Sequence, residues 1–134
     1  MQIPAILRSA SSMAEEKVLL DSGATTNFLD QRTVKRLRLK TQKLPKPHPV
    51  RNVDGTSNSA GQLTHYIDLQ VKQNGKEETL RFFITNLGED RLLLGFPWFA
   101  AFNPPIDWAK GTMEGLPIHI CTAKAAAQTP VPAQ

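Results

Sequence analysis

The chain has 134 residues, a mass of 14.8 kDa, a formal charge of +4 and an isoelectric point near 9.5. At that size one domain burying about two-thirds of its unfolded surface is expected, which excludes two full lobes in one chain. Cys121 is the only cysteine, so an intrachain disulfide is excluded. No apolar run reaches the roughly 18 residues that span a bilayer, and Met1-Gln2-Ile3-Pro4 does not open a secretory signal, so a cytoplasmic protein away from membranes is expected.

In chain order, residues 1–13 read as an N-terminal extension: a short extended segment from Ile3 to Leu7, then the polar Ser9-Ala10-Ser11-Ser12 linker. The domain proper is expected over residues 14–122. Val18-Leu19-Leu20 is an apolar run of the kind that forms a buried strand, and it delivers Asp21 into the small-residue turn Ser22-Gly23-Ala24-Thr25. Gly23 lets the backbone turn sharply just past the acid, where a side chain would crowd an approaching ligand. Asn27-Phe28-Leu29 looks like a return strand. Asp30 is placed to cap a helix from Gln31 to about Leu37, with Val34 and Leu37 facing inward.

That arrangement turns Arg32, Lys35, Arg36, Arg38, Lys40, Lys43 and Lys46 outward. The stretch lacks interleaved aromatics, so a solvated helix face is a better reading than a nucleic-acid surface. Pro45 to Pro49 contains three prolines and is expected to be an extended loop that cannot join a central strand. Next comes a glycine-containing, small polar segment, Asp54, Gly55, Thr56, Ser57, Asn58, Ser59, Ala60 and Gly61, with the low packing density that a mobile cover needs. Tyr66 to Val71 alternates cleanly, Asn74-Gly75 marks a tight turn, and Thr79 to Thr85 returns as the second strand of a hairpin. Residues 123–134, rich in Ala, Gln and Pro, are expected to be a disordered tail or a polyprotein junction. Short strands dominate and helices are few, the pattern of a small closed all-β fold.

Asp-Ser-Gly is also an ordinary polar turn, and alone it proves little. A second segment sharpens it: Arg91-Leu92-Leu93-Leu94-Gly95-Phe96-Pro97-Trp98-Phe99 again runs as an apolar strand into a glycine and then a short helix-like stretch. Together the two segments resemble the retropepsins, the aspartic proteases of retroviruses and retrotransposons. The stretch Asp21 to Phe28 is similar to the Asp-Ser-Gly-Ala-x-x-Asn-Phe motif of Gypsy-class LTR retrotransposon proteases. Gly95 to Phe99 and Asn103-Pro104-Pro105-Ile106-Asp107-Trp108 resemble the Gly-x-Pro-Trp-hydrophobic and Asn-Pro-x-Ile-Asp-Trp segments of those elements.

The resemblance implies a retropepsin-like acid protease fold, a small closed β-barrel with one short helix and one lobe per chain. With one acid triplet per chain, the working pair of carboxylates has to come from a C2 homodimer. Asp21 would be catalytic, sharing a proton with its symmetry mate so that one member activates water while the other hydrogen-bonds the scissile carbonyl. Ser22 would join the reciprocal grip between the two acid loops, with Gly23, Ala24 and Thr25 completing the loop and Leu93, Leu94 and Gly95 supporting it. Residues 54–61 would be the flap. The substrate would be an extended polypeptide with hydrophobic residues beside the cut, in the first place the element's own Gag-Pol polyprotein, cut in the cytoplasm or within virus-like particles. Ile3 to Leu7 and Ile118 to Ile120 are the candidates for terminal interface strands.

Other chemistry is poorly served. Asp107 has no following glycine and reads as a turn or pairing residue, and Asp54 as structural. His48, His65 and His119 lie far apart without metal-ligand spacing, and Cys121 has no diagnostic neighbours, so no metal and no cofactor are expected. Trp98 and Trp108 read as packing residues. Two rival functions stay open: a non-catalytic dimerisation or peptide-binding module on the same fold, and a basic RNA-binding protein whose binding would fall steeply with salt.

Overall fold

A computed structural model describes residues 2–9, 12–51, 57–88, 92–113 and 115–122, with backbone alone at 48–51 and 57–62. The chain runs β1 (Gln2–Arg8), β2 (Met13–Leu20), β3 (Asn27–Asp30), α1 (Gln31–Arg36), β4 (Gln42–Arg51), β5 (Ser57–Gln73), β6 (Lys76–Thr85), β7 (Leu92–Leu94), α2 (Phe96–Phe102), β8 (Ile106–Asp107), β9 (Thr112–Met113) and β10 (Ile118–Thr122). Strands in the order β10-β1-β2-β7-β3-β6-β5 close on themselves, because β10 also pairs with β5, and β4 is added outside this ring along β5. Closure removes free edges, which a sheet of this size otherwise exposes to unwanted pairing.

Alternation decides which side chains fill the barrel. In β1, Ile3, Ala5 and Leu7 point inward, and in β2 Val18 and Leu20 do the same. From β5, Ile67, Leu69 and Val71 meet Leu80 and Phe82 of β6, and Leu92 and Leu94 of β7 belong to the same core as Ile118 and Ile120 of β10. Each of these Val, Leu, Ile and Phe side chains contributes about 1.5–3 kcal/mol relative to exposure. The hairpin expected around Asn74-Gly75 is present and longer than its sequence signal, with Gln73 opposite Lys76 at the turn and Tyr66 opposite Phe83. Asn74 and Gly75 both take positive φ, as the tight turn demands.

Three expectations need correction. The segment assigned to an N-terminal extension includes a core strand: β1 pairs with β2 from Gln2 to Arg8 and with β10 from Ala5 to Arg8. The three prolines of residues 45–49 lie inside a strand, not a loop. They are tolerated because β4 is an outer strand, where a missing N–H breaks few ladder bonds, and the register slips between Lys43 and His48. Among the described residues there are two helices where the resemblance implied one, since the helix-like stretch after Gly95 is a full helix, α2, that ends on Asn103 in the left-handed conformation. The candidate interface strands are paired within the chain: β10 has β1 along one edge from Ile118 to Cys121 and β5 along the other from His119 to Thr122, and β1 lies between β2 and β10 from Ala5 to Arg8.

α1 begins as expected. Asp30 is its N-cap, with the carboxylate accepting the Arg32 N–H at 2.7 Å, and Leu37 closes the helix with a buried side chain. Lys35 and Arg36 in the last turn suit the negative end of the helix.

Candidate active site

The acid loop is fixed where two parallel strands leave the sheet together. Leu20 of β2 pairs with Leu94 of β7, and one residue later the Asp21 N–H donates to the Leu94 carbonyl at 3.0 Å. The Asp21 carbonyl accepts the Ala24 N–H at 3.1 Å, which closes the turn, and the Ala24 carbonyl accepts the Phe96 N–H at 2.8 Å. The loop is therefore bolted at both ends to one short stretch, Leu94-Gly95-Phe96. Asp21 itself is partly exposed and Ser22, Gly23 and Thr25 are exposed, so the turn presents its carboxylate outward. The Gly23 N–H donates to Asp21 Oδ1 at 3.0 Å, orienting the carboxylate from within its own loop. A methyl group at Gly23 would sit 3.3 Å from that oxygen, close enough to press on it.

Gly95 is required for a stronger reason. A β-carbon there would lie 2.2 Å from the Thr26 carbonyl oxygen and 2.8 Å from that of Ala24, distances that no side chain accommodates against backbone. The absence of a side chain is what lets the acid loop lie directly on β7. Of the supporting residues expected from sequence, Leu94 and Gly95 touch the loop through backbone, and Leu93 acts one step back, pairing with Leu19 and Phe28.

Asn27 is a site residue that sequence reasoning placed only in a strand. Its side chain is fully buried, with Oδ1 accepting the Gly95 N–H at 2.8 Å and Nδ2 donating to the Arg81 carbonyl at 3.3 Å. One amide thus ties the start of β3 to β7 and β6 where the loop ends. The signal was available: a polar residue at a position whose alternate, Leu29, is core.

Asp30 forms a second buried tie. Its carboxylate accepts the Arg32 guanidinium through Nε at 3.0 Å and a terminal nitrogen at 3.1 Å, and the Leu87 N–H at 3.0 Å, while Arg32 also reaches the Gly88 carbonyl. Burial pushes this carboxyl up, but the hydrogen bonds from the Arg32 side chain, from the N–H groups of Arg32 and Leu87, and the Arg32 charge outweigh it and hold it below the usual carboxylate range. The segment that leads into β7 is thereby anchored to the first turn of α1.

The remaining candidates separate from the acid loop. Asp107 Oδ1 accepts the Lys110 N–H at 3.1 Å in the β8–β9 turn. Of the flap candidates, Asp54, Gly55 and Thr56 lie outside the described residues, whereas Ser57, Asn58, Ser59, Ala60 and Gly61 open β5, with Ser57 paired to Arg51 of β4. Trp98 is a core residue, but Trp108 is 56% exposed, stacked on Phe99 at the surface because β8 is only two residues long and lies off the barrel. Among the described residues no three His, Cys, Asp or Glu side chains gather as a metal site, and no helix is long and apolar enough to cross a membrane.

The family model described as "PEG10/RTL1 protease domain" matches residues 17–123. Among solved structures, the crystal structure of the retroviral protease-like domain of Ddi1 from Leishmania major is similar over 90% of this chain and 91% of that one, with a TM-score of 0.54 and 19% sequence identity. The fold is that of a retroviral protease-like domain.

Proposed function

The chain belongs to the PEG10/RTL1 protease domain family, a retropepsin-like family from Gypsy-derived genes, and on that premise we propose that it is an aspartic endopeptidase whose catalytic pair is Asp21 from two copies. The observation that carries this reading is the carboxylate of Asp21, turned outward on a loop that Leu94, Gly95 and Phe96 hold rigidly through backbone. Peptide hydrolysis without a covalent intermediate needs a base for water and an acid for the amide. One carboxylate cannot be both at once. Two of them close together titrate apart, so one is charged when the other still holds its proton. The charged member takes a proton from water as its oxygen attacks the carbonyl carbon. The protonated member gives its proton to the carbonyl oxygen; then, as the C–N bond breaks, the leaving nitrogen takes a proton from one carboxyl while a hydroxyl of the intermediate returns its proton to the other, restoring the shared proton.

The substrate is an extended polypeptide, held strand-fashion along the cleft, with hydrophobic side chains flanking the cut and the β4–β5 hairpin as its cover. Gag-Pol-like polyproteins are the natural candidates. Asp21→Asn is the test: cleavage of a hydrophobic peptide should vanish while the fold persists, and a mutant as active as wild type would refute the assignment.

A second reading, a peptide-binding or dimerisation module without turnover, draws on the origin of the matching family in Gypsy-derived genes rather than in an element itself. It predicts peptide binding with no cleavage in the wild-type chain.

A further inference from the structure

Between Asp30 and Asp54 the chain has no Asp or Glu, yet it carries half of its Lys and Arg residues there. Two of these cations are spent inside the molecule, Arg32 on Asp30 and Arg36 on Glu16 of β2. Lys35, Arg38, Lys40, Lys43 and Lys46 are exposed and have no ion-pair partner among the described residues. Lysines and prolines blunt open strand edges, which accounts for Lys43 and Lys46 on the outer strand β4. It does not account for Lys35 on α1, or for Arg38 and Lys40 on the turn that follows.

Lys35 lines a groove of about 440 Å³ between α1 and the strands β5 and β6, together with Thr41, Thr64, His65 and Asn86. Lys40 directly precedes Thr41, and Lys43 is paired with His65 across β4 and β5. The lining thus offers hydroxyl, amide and ammonium donors within a positive surround, and among the described residues it holds no carboxylate. Like charges gathered at one groove, with none of opposite sign to relieve them, favour an anionic occupant. We propose that this groove docks an acidic stretch of the polypeptide substrate, away from the hydrophobic residues that flank the cut. This rests on the endopeptidase reading above.

The position fits a substrate. β3 runs from Asn27, bonded to Gly95 beside the end of the acid loop, to Asp30, and the next residue, Gln31, already lines the groove. That path is about 13 Å along an extended strand, so a polypeptide lying in the cleft reaches the groove with roughly four to six further residues. Thr41 leads straight into β4, the outer strand of the hairpin read above as the cover of the cleft. A nucleic-acid strand is a poorer match. Single strands are held by stacking bases on aromatic rings, yet among the described residues no Phe, Tyr or Trp lines the groove, and Tyr66, next to His65, has the Arg81 guanidinium 4.0 Å above its ring.

The test uses a hydrophobic peptide that carries runs of glutamates starting roughly five residues to either side of the cut, with matched peptides bearing glutamines or lysines in their place. Binding is measured on Asp21→Asn by fluorescence anisotropy, so that it is read apart from cleavage. The glutamate peptide should bind at least about fivefold more tightly than the glutamine peptide at low salt, and the gap should close as salt rises. On the same background, Lys35→Glu with Lys43→Glu should turn the preference toward the lysine peptide, and Lys35→Gln with Lys43→Gln should remove it. The same reversal at the exposed Lys17 and Lys110 should leave it in place. Thermal unfolding checks that each variant folds. With wild type, the glutamates should lower KM and leave kcat unchanged. Glutamate-dependent binding without cleavage of any of these peptides by wild type keeps the docking site and refutes the endopeptidase reading instead. Equal binding of the glutamate and glutamine peptides overturns the proposal, as does an unchanged preference after reversal at Lys35 and Lys43, or an equal loss after reversal at Lys17 and Lys110. A single-stranded oligonucleotide that binds Asp21→Asn more tightly than the glutamate peptide overturns it in favour of nucleic acid.

Discussion

The amide of Asn27 and the backbone of Gly95 meet inside the barrel: Asn27 Oδ1 accepts the Gly95 N–H at 2.8 Å, with both residues shut off from solvent. The bond lies 68 residues apart in sequence and closes the frame in which the acid loop sits. Replacing Asn27 by Leu leaves the Gly95 N–H and the Arg81 carbonyl without their partner. A loss of about 2–4 kcal/mol in unfolding free energy is expected, since each buried orphaned group costs about 1–3 kcal/mol. Urea denaturation of the purified variant checks it.

Gly95→Ala should be at least as damaging. The added methyl meets two backbone carbonyls at contact distances that require β7 and the acid loop to part. Overpacking against backbone costs about 1–3 kcal/mol or more, and peptide cleavage should fall further than stability does, because the displaced segment is the loop itself. Comparing the melting temperature with kcat/KM separates the two effects.

Asp30 gives the stability curve its acid limb. Its carboxyl is held below the usual value of about 3.9, so the folded protein binds the proton less readily than the unfolded chain. The stability this confers is complete above the unfolded value and is lost as pH falls through it toward the lower folded one. Wild type should therefore lose stability as the pH falls below the ordinary carboxylate range. Asp30→Asn should be less stable near neutrality and show a shallower decline over that range. Denaturation midpoints at a series of pH values decide it, and a parallel decline in both proteins would remove Asp30 as the cause.

Cys121 should be a slow thiol. Its side chain is buried in β10, and burial pushes the thiol above its ordinary value, with the Lys72 charge opposing only in part. Reaction with a thiol reagent should be at least about tenfold slower in native protein than in denatured protein. Equal rates would mean that β10 is open in solution.

What the sequence made legible was whatever two local signals agreed on. β2, the acid turn, β7 and the β5–β6 hairpin all joined an apolar or alternating run to a glycine or Asn-Gly turn. The helix cap at Asp30 followed from residue type alone. β4 was illegible because proline density argues against a strand in general, and only its outer position along β5 makes the prolines harmless. Asn27 could be suspected as a polar residue on a core-facing position, but its partner, like that of Asp30, was hidden for another reason: Gly95 and Leu87 are 68 and 57 residues away in the chain. The surface placement of Trp108 likewise depends on a two-residue strand pair, β8 and β9, which among the described residues forms a sheet of its own.

The central claim is that one active site draws a carboxylate from each of two copies. Wild-type chain mixed with Asp21→Asn at constant total concentration, equilibrated and assayed for peptide cleavage, tests it most directly. Shared sites require activity to follow the square of the wild-type fraction, leaving about a quarter at equal parts, because mixed dimers hold only one carboxylate. A straight-line decline, with half the activity left at equal parts, would mean that each chain works alone and would contradict it.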